Sequence, residues 1–122
     1  MFTGIENVLK KLKQQGYLLA IVTGSNRNKV FSILPKNIFS IFDVIISADM
    51  LKKGKPFPEP YLMAAKKLKV KPSQCIVIEN APYGVQSAKA AKMYCIAITT
   101  SLPKQYLKQA DKIFNDIRDV FQ

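Results

Sequence analysis

The sequence predicts an α/β protein: a mostly parallel sheet with helices packed on both faces. Three observations carry this. Short, wholly apolar runs recur along the chain, at residues 18–22, 44–46, 75–78 and 94–98. Segments with helical spacing alternate with them, and turns rich in Gly, Pro, Ser or Asn separate the two kinds. Wholly apolar strands this short are expected where both faces of a sheet are covered.

Taken in order, Ile5, Val8, Leu9 and Leu12 recur at helical spacing, with Lys10, Lys11 and Lys13 opposite. Gly16 falls where such a helix stops. Residues 18–22 read as a strand buried on both faces. Thr23-Gly24-Ser25-Asn26 is a polar turn, with Ser25 or Asn26 placed to cap a helix over residues 27–34, which Pro35 ends. Residues 44–46 form a second strand. Residues 52–58, Lys-Lys-Gly-Lys-Pro-Phe-Pro, form a loop, and a helix follows from about Pro60 to Leu68. Residues 71–74 turn into a third strand, 75–78, which ends at Glu79-Asn80. An Ala-rich helix over 85–91 leads to a fourth strand, 94–98. A helix over 103–109, a short strand over 112–114 and a terminal helical turn over 116–121 complete the chain.

The 122 residues suit a single domain, 1–122, and 48% hydrophobic residues exclude a disordered tail. The longest apolar runs fall far short of the roughly 20 residues that span a bilayer. Met1-Phe2-Thr3-Gly4 has no basic segment leading into an apolar one, so no secretory leader is expected. With no histidine, the chain has no Ser-His-Asp or Cys-His triad and no imidazole base. Cys75 and Cys95 each open an apolar run and read as buried strand thiols, which suits a reducing, cytoplasmic setting. The net charge is +11, but only Arg27 and Arg118 are arginines. Lysines spread over helical outer faces read as solvated surface, and no nucleic-acid reader motif is present.

Three places could carry chemistry. The hydroxyl of Thr23, the backbone N–H of Gly24 and the side chain of Ser25 could hold a phosphate oxygen, or form an ordinary capped turn. Lys55, between Gly54 and Pro56, is a cation on a stiff loop, or one solvated lysine among several. Glu79 directly follows an apolar strand. A carboxylate there is costly unless it meets a cation or a polar site. With Asn80 it could help hold Mg²⁺, or reach solvent at a turn.

The order of these segments resembles the haloacid dehalogenase (HAD)-like hydrolase superfamily, and most closely its beta-phosphoglucomutase-like branch. Strand-Thr-Gly-Ser is followed by Gly-Lys-Pro-Phe-Pro-Glu-Pro-Tyr-Leu and then by strand-Glu-Asn-Ala-Pro-Tyr-Gly-Val-Gln-Ser-Ala-Lys-Ala-Ala. The resemblance runs from about Thr3 to the C-terminus. It implies a three-layer Rossmann-like core and a Mg²⁺-dependent phosphatase or phosphomutase acting on small phosphorylated metabolites. Thr23 matches the residue that holds the transferring phosphoryl oxygen, with Gly24 adding a backbone N–H. Lys55 matches the lysine that offsets the charge of phosphoryl group and nucleophile. Glu79 and Asn80 match the acidic pair that helps hold the metal. Asn80 departs from the more usual Asp and loses a charge, which weakens metal binding. Lys92 stands where the family often has a helix-ending glycine.

The largest departure is an absence. The family's first motif is an apolar strand ending in Asp-x-Asp, whose first Asp is the nucleophile. The five aspartates here, Asp43, Asp49, Asp111, Asp116 and Asp119, include no such pair. The helical cap that follows that motif is missing as well. Mg²⁺ is therefore expected to bind weakly or not at all, and no turnover is expected from this chain alone. The absent strand would lie mid-sheet, between the strands that precede Thr23 and Glu79. Backbone groups buried unpaired cost about 1–3 kcal/mol each, so the slot should close by direct pairing of those strands or take a strand from a second chain. The alternative to an enzyme core is a non-catalytic module that binds phosphate-bearing ligands or a partner chain. A receiver-like signalling domain and a basic nucleic-acid binder fit the residues less well, and no membrane partner is expected.

Overall fold

Helices and strands alternate as the periodicity predicts, and the computed structural model describes them over residues 3–121. The expectation concerning Met1 and Phe2 lies outside the described residues. Helix α1 (Thr3–Gln14) ends just before Gly16, whose φ of +93° is a left-handed conformation that glycine takes without strain. Strand β1 (Ala20–Val22) leads to α2 (Arg27–Ile33), and the Asn26 side chain caps α2 by accepting the Lys29 N–H at 2.9 Å. After Pro35 comes a helical turn that the sequence did not suggest, α3 (Lys36–Phe39), and then β2 (Val44–Ile46). Helix α4 (Glu59–Leu68), β3 (Ile76–Glu79), α5 (Pro82–Ala90), β4 (Tyr94–Ile98), β5 (Lys112–Phe114) and α6 (Ile117–Val120) complete the order.

Several expectations are corrected. The first strand is Ala20–Val22 rather than 18–22, and all three of its residues are only half-buried. Cys75 precedes β3 and is half-buried; only Cys95 is a buried strand thiol, and burial pushes it up to about 11. The helix expected over 103–109 is a single 3₁₀ turn, Lys104–Tyr106. The physical reason lies just beyond it. Leu107 is 1% exposed, locked into the core, and the Asp111 N–H already donates to the Cys95 carbonyl at 2.8 Å. The few residues between those anchors leave no room for a longer helix. Lys92, at the position the resemblance marks for glycine, adopts φ +64°, a left-handed conformation that costs a side-chain-bearing residue roughly 1–2 kcal/mol.

The described strands form two parallel sheets: β1–β2, and β3–β4–β5 in that spatial order. In the first, Ala20 faces Val44 and Val22 faces Ile46. In the second, Val77 faces Cys95 and Ala97 faces Ile113. One core serves both. Tyr61 and Ala65 of α4, Val77, Val85 and Ala88 of α5, Cys95, Ala97 and Leu107 form a buried cluster, and Val22 of β1 packs against it. Helix α4 packs on β1, on β2 and on α5, so it spans the two sheets.

The direct pairing of the flanking strands does not form: among the described residues β1 has only β2 beside it, and β3 only β4. The open edges can be identified from the register. The Val44 N–H donates to the Leu19 carbonyl and the Thr23 N–H to the Ile46 carbonyl. Strand alternation then turns the N–H and C=O of Ala20 and Val22 away from β2. By the same alternation Ile76 and Ile78 turn theirs away from β4. The edge groups remain tolerable because the strands are short and partly exposed, with Ile76 at 59%.

Two carboxylates tie strands to helices. Asp43 accepts from Lys13 at 2.8 Å and from the Leu19 N–H at 2.7 Å. Asp111 accepts from Lys89 at 2.7 Å and from the Cys95 N–H at 2.8 Å. Burial pushes Asp43 upward, but its hydrogen bonds from Lys13 and Leu19 outweigh that and hold it below the ordinary carboxylate value. The Lys89 and Cys95 hydrogen bonds lower Asp111, and Arg118 lowers Asp116 to about 2. Folded values below unfolded ones mean stability that is present above about pH 4 and lost as pH falls through the folded values. Urea midpoints should therefore hold between pH 7 and 5 and fall modestly from pH 4 toward 2, because these carboxylates are solvent-screened. Asp111→Asn should flatten part of that fall, and a midpoint unchanged down to pH 2 would contradict this.

Candidate functional site

The carboxyl ends of β1 and β3 bring the sequence candidates to one rim. At the end of β1, the Thr23 N–H extends the ladder to Ile46 at 2.9 Å, and its hydroxyl oxygen accepts the Ser25 N–H at 3.1 Å. Thr23 and Ser25 are half-buried, and Gly24 is exposed with open space on the side where a Cβ would stand. The turn is thus a closed local hydrogen bond around an open rim position.

The Lys55 loop is pinned from two sides. The Glu59 carboxylate accepts the Lys52 N–H at 2.7 Å, and the buried Ser87 hydroxyl of α5 donates to the Phe57 carbonyl at 2.6 Å. The loop sends Lys55 inward. Its Nζ lies 3.4 Å from the Val22 carbonyl, on the open edge of β1, and forms an ion pair with Glu79 Oε1 at the end of β3. It also stands over the Tyr61 ring at 5.4 Å, a cation–π placement. One ammonium therefore joins the ends of two strands that do not pair.

Glu79 is 8% exposed, so its charge demands partners, and it has them on both oxygens. Oε1 accepts from Lys55 and from the Tyr61 hydroxyl at 2.6 Å. Oε2 accepts the N–H of Asn80 at 3.1 Å and that of Ala81 at 3.4 Å. Burial, then the Glu79 charge, push the Tyr61 phenol far above its ordinary value, so it stays a neutral donor. Gly84, in the first turn of α5, lets the carboxylate lie against the backbone: a Cβ there would fall 2.0–2.3 Å from the Glu79 carboxyl atoms. Asn80 does not turn toward Lys55. Its Nδ2 donates to Thr100 and Ser101, each at 3.2 Å.

Lys55 and Glu79 are thus in direct contact, Lys55 touches the residue before Thr23, and Asn80 faces the β4–β5 side. Sequence reasoning singled out neither Tyr61 nor Ser87. Tyr61 was legible only as part of the Pro-Glu-Pro-Tyr-Leu segment, and Ser87 as one small residue in an Ala-rich helix.

This donor set fits Mg²⁺ poorly. Mg²⁺ takes near-octahedral oxygens from one or two carboxylates, waters and phosphates. Here the one carboxylate has four donors on it already, and among the described residues no cluster of three or more His, Cys, Asp or Glu could hold a metal ion.

The fold is a Rossmann-type α/β core, and the chain belongs to the haloacid dehalogenase-like hydrolase family, which it matches over residues 1–98. It is 37% identical over 118 residues to validoxylamine A 7'-phosphate phosphatase of Streptomyces hygroscopicus subsp. limoneus, covering 96% of this chain and 55% of that protein. It is 36% identical over 121 residues to the bifunctional riboflavin kinase/FMN phosphatase of Arabidopsis thaliana, covering 96% of this chain and 32% of that one. The beta-phosphoglucomutase of Clostridium difficile superposes with a TM-score of 0.80 at 28% identity, over 96% of this chain and 51% of that structure. The chain therefore spans about half the length, or less, of these relatives. The beta-phosphoglucomutase-like core expected from the sequence is the fold observed. No helix among the described residues is long and apolar enough to cross a membrane.

Proposed function

We propose that this chain is the phosphate-handling part of a phosphohydrolase or phosphomutase core for small phosphorylated metabolites, and that it does not turn over by itself. The observation that carries the reading is Lys55. Its ammonium has three N–H donors. Glu79 and the Val22 carbonyl take two, which leaves one for an anion at the rim formed by Thr23, Gly24 and Ser25. The names of the relatives, phosphatases and a phosphoglucomutase, support the substrate class. Positioning does not replace a covalent carboxylate, and no Asp-x-Asp is present to supply one. Purified chain with Mg²⁺ and p-nitrophenyl phosphate should release no more phosphate than buffer. Release that Thr23→Ala or Lys55→Ala abolishes would overturn the inactive reading.

The split sheet favours a second reading, a module that accepts a strand from another chain. Parallel edges left open on β1 and β3, over one shared core, match the main-chain groups of an inserted extended segment. The isolated chain should then associate through those edges. Ile76→Pro removes an open-edge N–H at the first position of β3, where proline is tolerated, and should shift the sedimentation profile toward monomer. Equal profiles for both proteins would count against it.

A further inference from the structure

We propose a second ligand site, apart from Lys55, in the cleft at the carboxyl ends of β4 and β5, where four side chains hold unused hydrogen-bond donors and take a small oxyanion, a carboxylate or a phosphate.

The chain builds the cleft from two loops. A hydroxyl run, Thr99-Thr100-Ser101, directly follows the buried strand β4, and Asn115 directly follows β5. The Thr99 N–H donates to the Phe114 carbonyl at 3.0 Å, so the ladder continues past both strand ends and the loops leave the sheet side by side. They wall an open cleft of about 680 Å³ that takes in Lys104, with the half-buried Leu102 and Ile113 as its apolar part. A concave site with an apolar part and a few convergent polar groups is the usual form of a small-molecule site.

The sense of the hydrogen bonds decides what such a cleft holds. Asn80 Nδ2 donates to the Thr100 and the Ser101 hydroxyl oxygens, each at 3.2 Å. A hydroxyl that accepts from Asn80 still has its own proton to give. A carboxylate in place of Asn80 would draw both protons toward itself; the amide leaves them for the cleft. Thr99 donates to Asn115 Oδ1 at 3.0 Å, which orients that amide and leaves both N–H groups of its Nδ2 without an acceptor among the described residues. Lys104 belongs to none of the ion pairs among those residues. Asp116, next along from Asn115, is held by Arg118 at 2.8 Å, so its charge is matched. A neutral polyol satisfies the hydroxyls alone. An oxyanion satisfies hydroxyls, amide and ammonium together, and hydrogen bonds to a charged acceptor are the stronger kind.

The test uses the whole ¹⁵N-labelled chain, titrated with inorganic phosphate and separately with succinate, at constant ionic strength in sodium chloride. The Asn115 side-chain signals and the backbone amides of residues 99–102 and 104 report the cleft; those of Gly24 and Ser25 report the Lys55 rim. The cleft signals should shift and saturate with at least one of the two anions and stay still with glycerol, and the anion that saturates them identifies which oxyanion the site serves. Asn115→Asp keeps the acceptor for Thr99 and removes the Nδ2 donors, and Ser101→Ala removes one exposed hydroxyl. Each should weaken binding at the cleft by about fivefold or more and leave the response of Gly24 and Ser25 unchanged. Asn80→Asp should weaken it as well. Cleft signals that ignore both anions, follow glycerol equally, or titrate alike in Ser101→Ala and the unmodified chain would overturn the site. Cleft shifts with no response at Gly24 and Ser25 would support it and count against the phosphate-handling reading of Lys55.

Discussion

Gly84→Ala is expected to destabilise the chain by about 2–4 kcal/mol, large for the addition of one methyl group. The Cβ would stand 2.0–2.3 Å from the Glu79 carboxyl atoms, so something must move. A flexible side-chain end would normally yield cheaply. This one has four donors and 8% exposure, and each way out breaks at least one charge-assisted hydrogen bond. The thermal midpoint should fall by on the order of 10 °C. Calorimetric unfolding of the variant checks this, and the double variant with Glu79→Ala should lose much less than the sum of the two single losses, because the clash disappears with the carboxylate. A midpoint within a degree of the parent would mean that Glu79 is not held where it is described.

The second large effect belongs to the ion pair taken one side at a time. Lys55→Met leaves a nearly buried carboxylate with only neutral donors and should cost about 2–4 kcal/mol, somewhat under the usual value because Lys55 is 22% exposed. Glu79→Leu strands the ammonium and the Tyr61 hydroxyl together and should cost a similar amount. The pair replaced together, Lys55→Met with Glu79→Leu, should cost clearly less than the two singles summed, because a buried pair adds little over apolar packing of similar volume. A coupling energy above about 1 kcal/mol from denaturant unfolding of the four proteins supports the pair; additivity would argue against it.

Much of this fold was legible in the residues, for stated physical reasons. The run at 94–98 became a strand with those bounds because a sheet covered on both faces buries four of its five side chains in succession; the run at 44–46 kept its bounds although only Ile46 of it is buried. Pro60 and Pro82 sit in first turns, where a missing N–H costs nothing. The misses share a cause: each turned on something distant in the chain. The helix expected after Pro103 was cut short by the anchoring of Leu107 and Asp111. The run from Leu18 gave too long a strand and too much burial, because an apolar run does not reveal whether a neighbour strand stands beside it. For the site, the carboxylate after an apolar strand pointed to a cation, and a cation is there. That the cation is Lys55, and that Tyr61 and Gly84 shape its seat, depends on contacts between segments 18 or more residues apart or on backbone proximity, which no spacing rule encodes.

The seam between the two sheets also bears on how the molecule comes apart. Across it run the packing of α4, the packing of α1 on α6, the contact of Val22 with the core and the reach of one lysine, but, among the described residues, no ladder of main-chain bonds. The side built on β3, β4 and β5 keeps most of the buried cluster; the side built on β1 and β2 has fewer buried apolar residues, Val30, Ile38 and Ile46 among them. Sheets that are hydrogen-bonded throughout tend to melt as one, whereas halves joined by side chains can part while the better-packed one stays intact. Such a chain has a built-in order of loss: its amino-terminal portion is the first to let go, and whatever inserts at the seam would fuse two cooperative blocks into one.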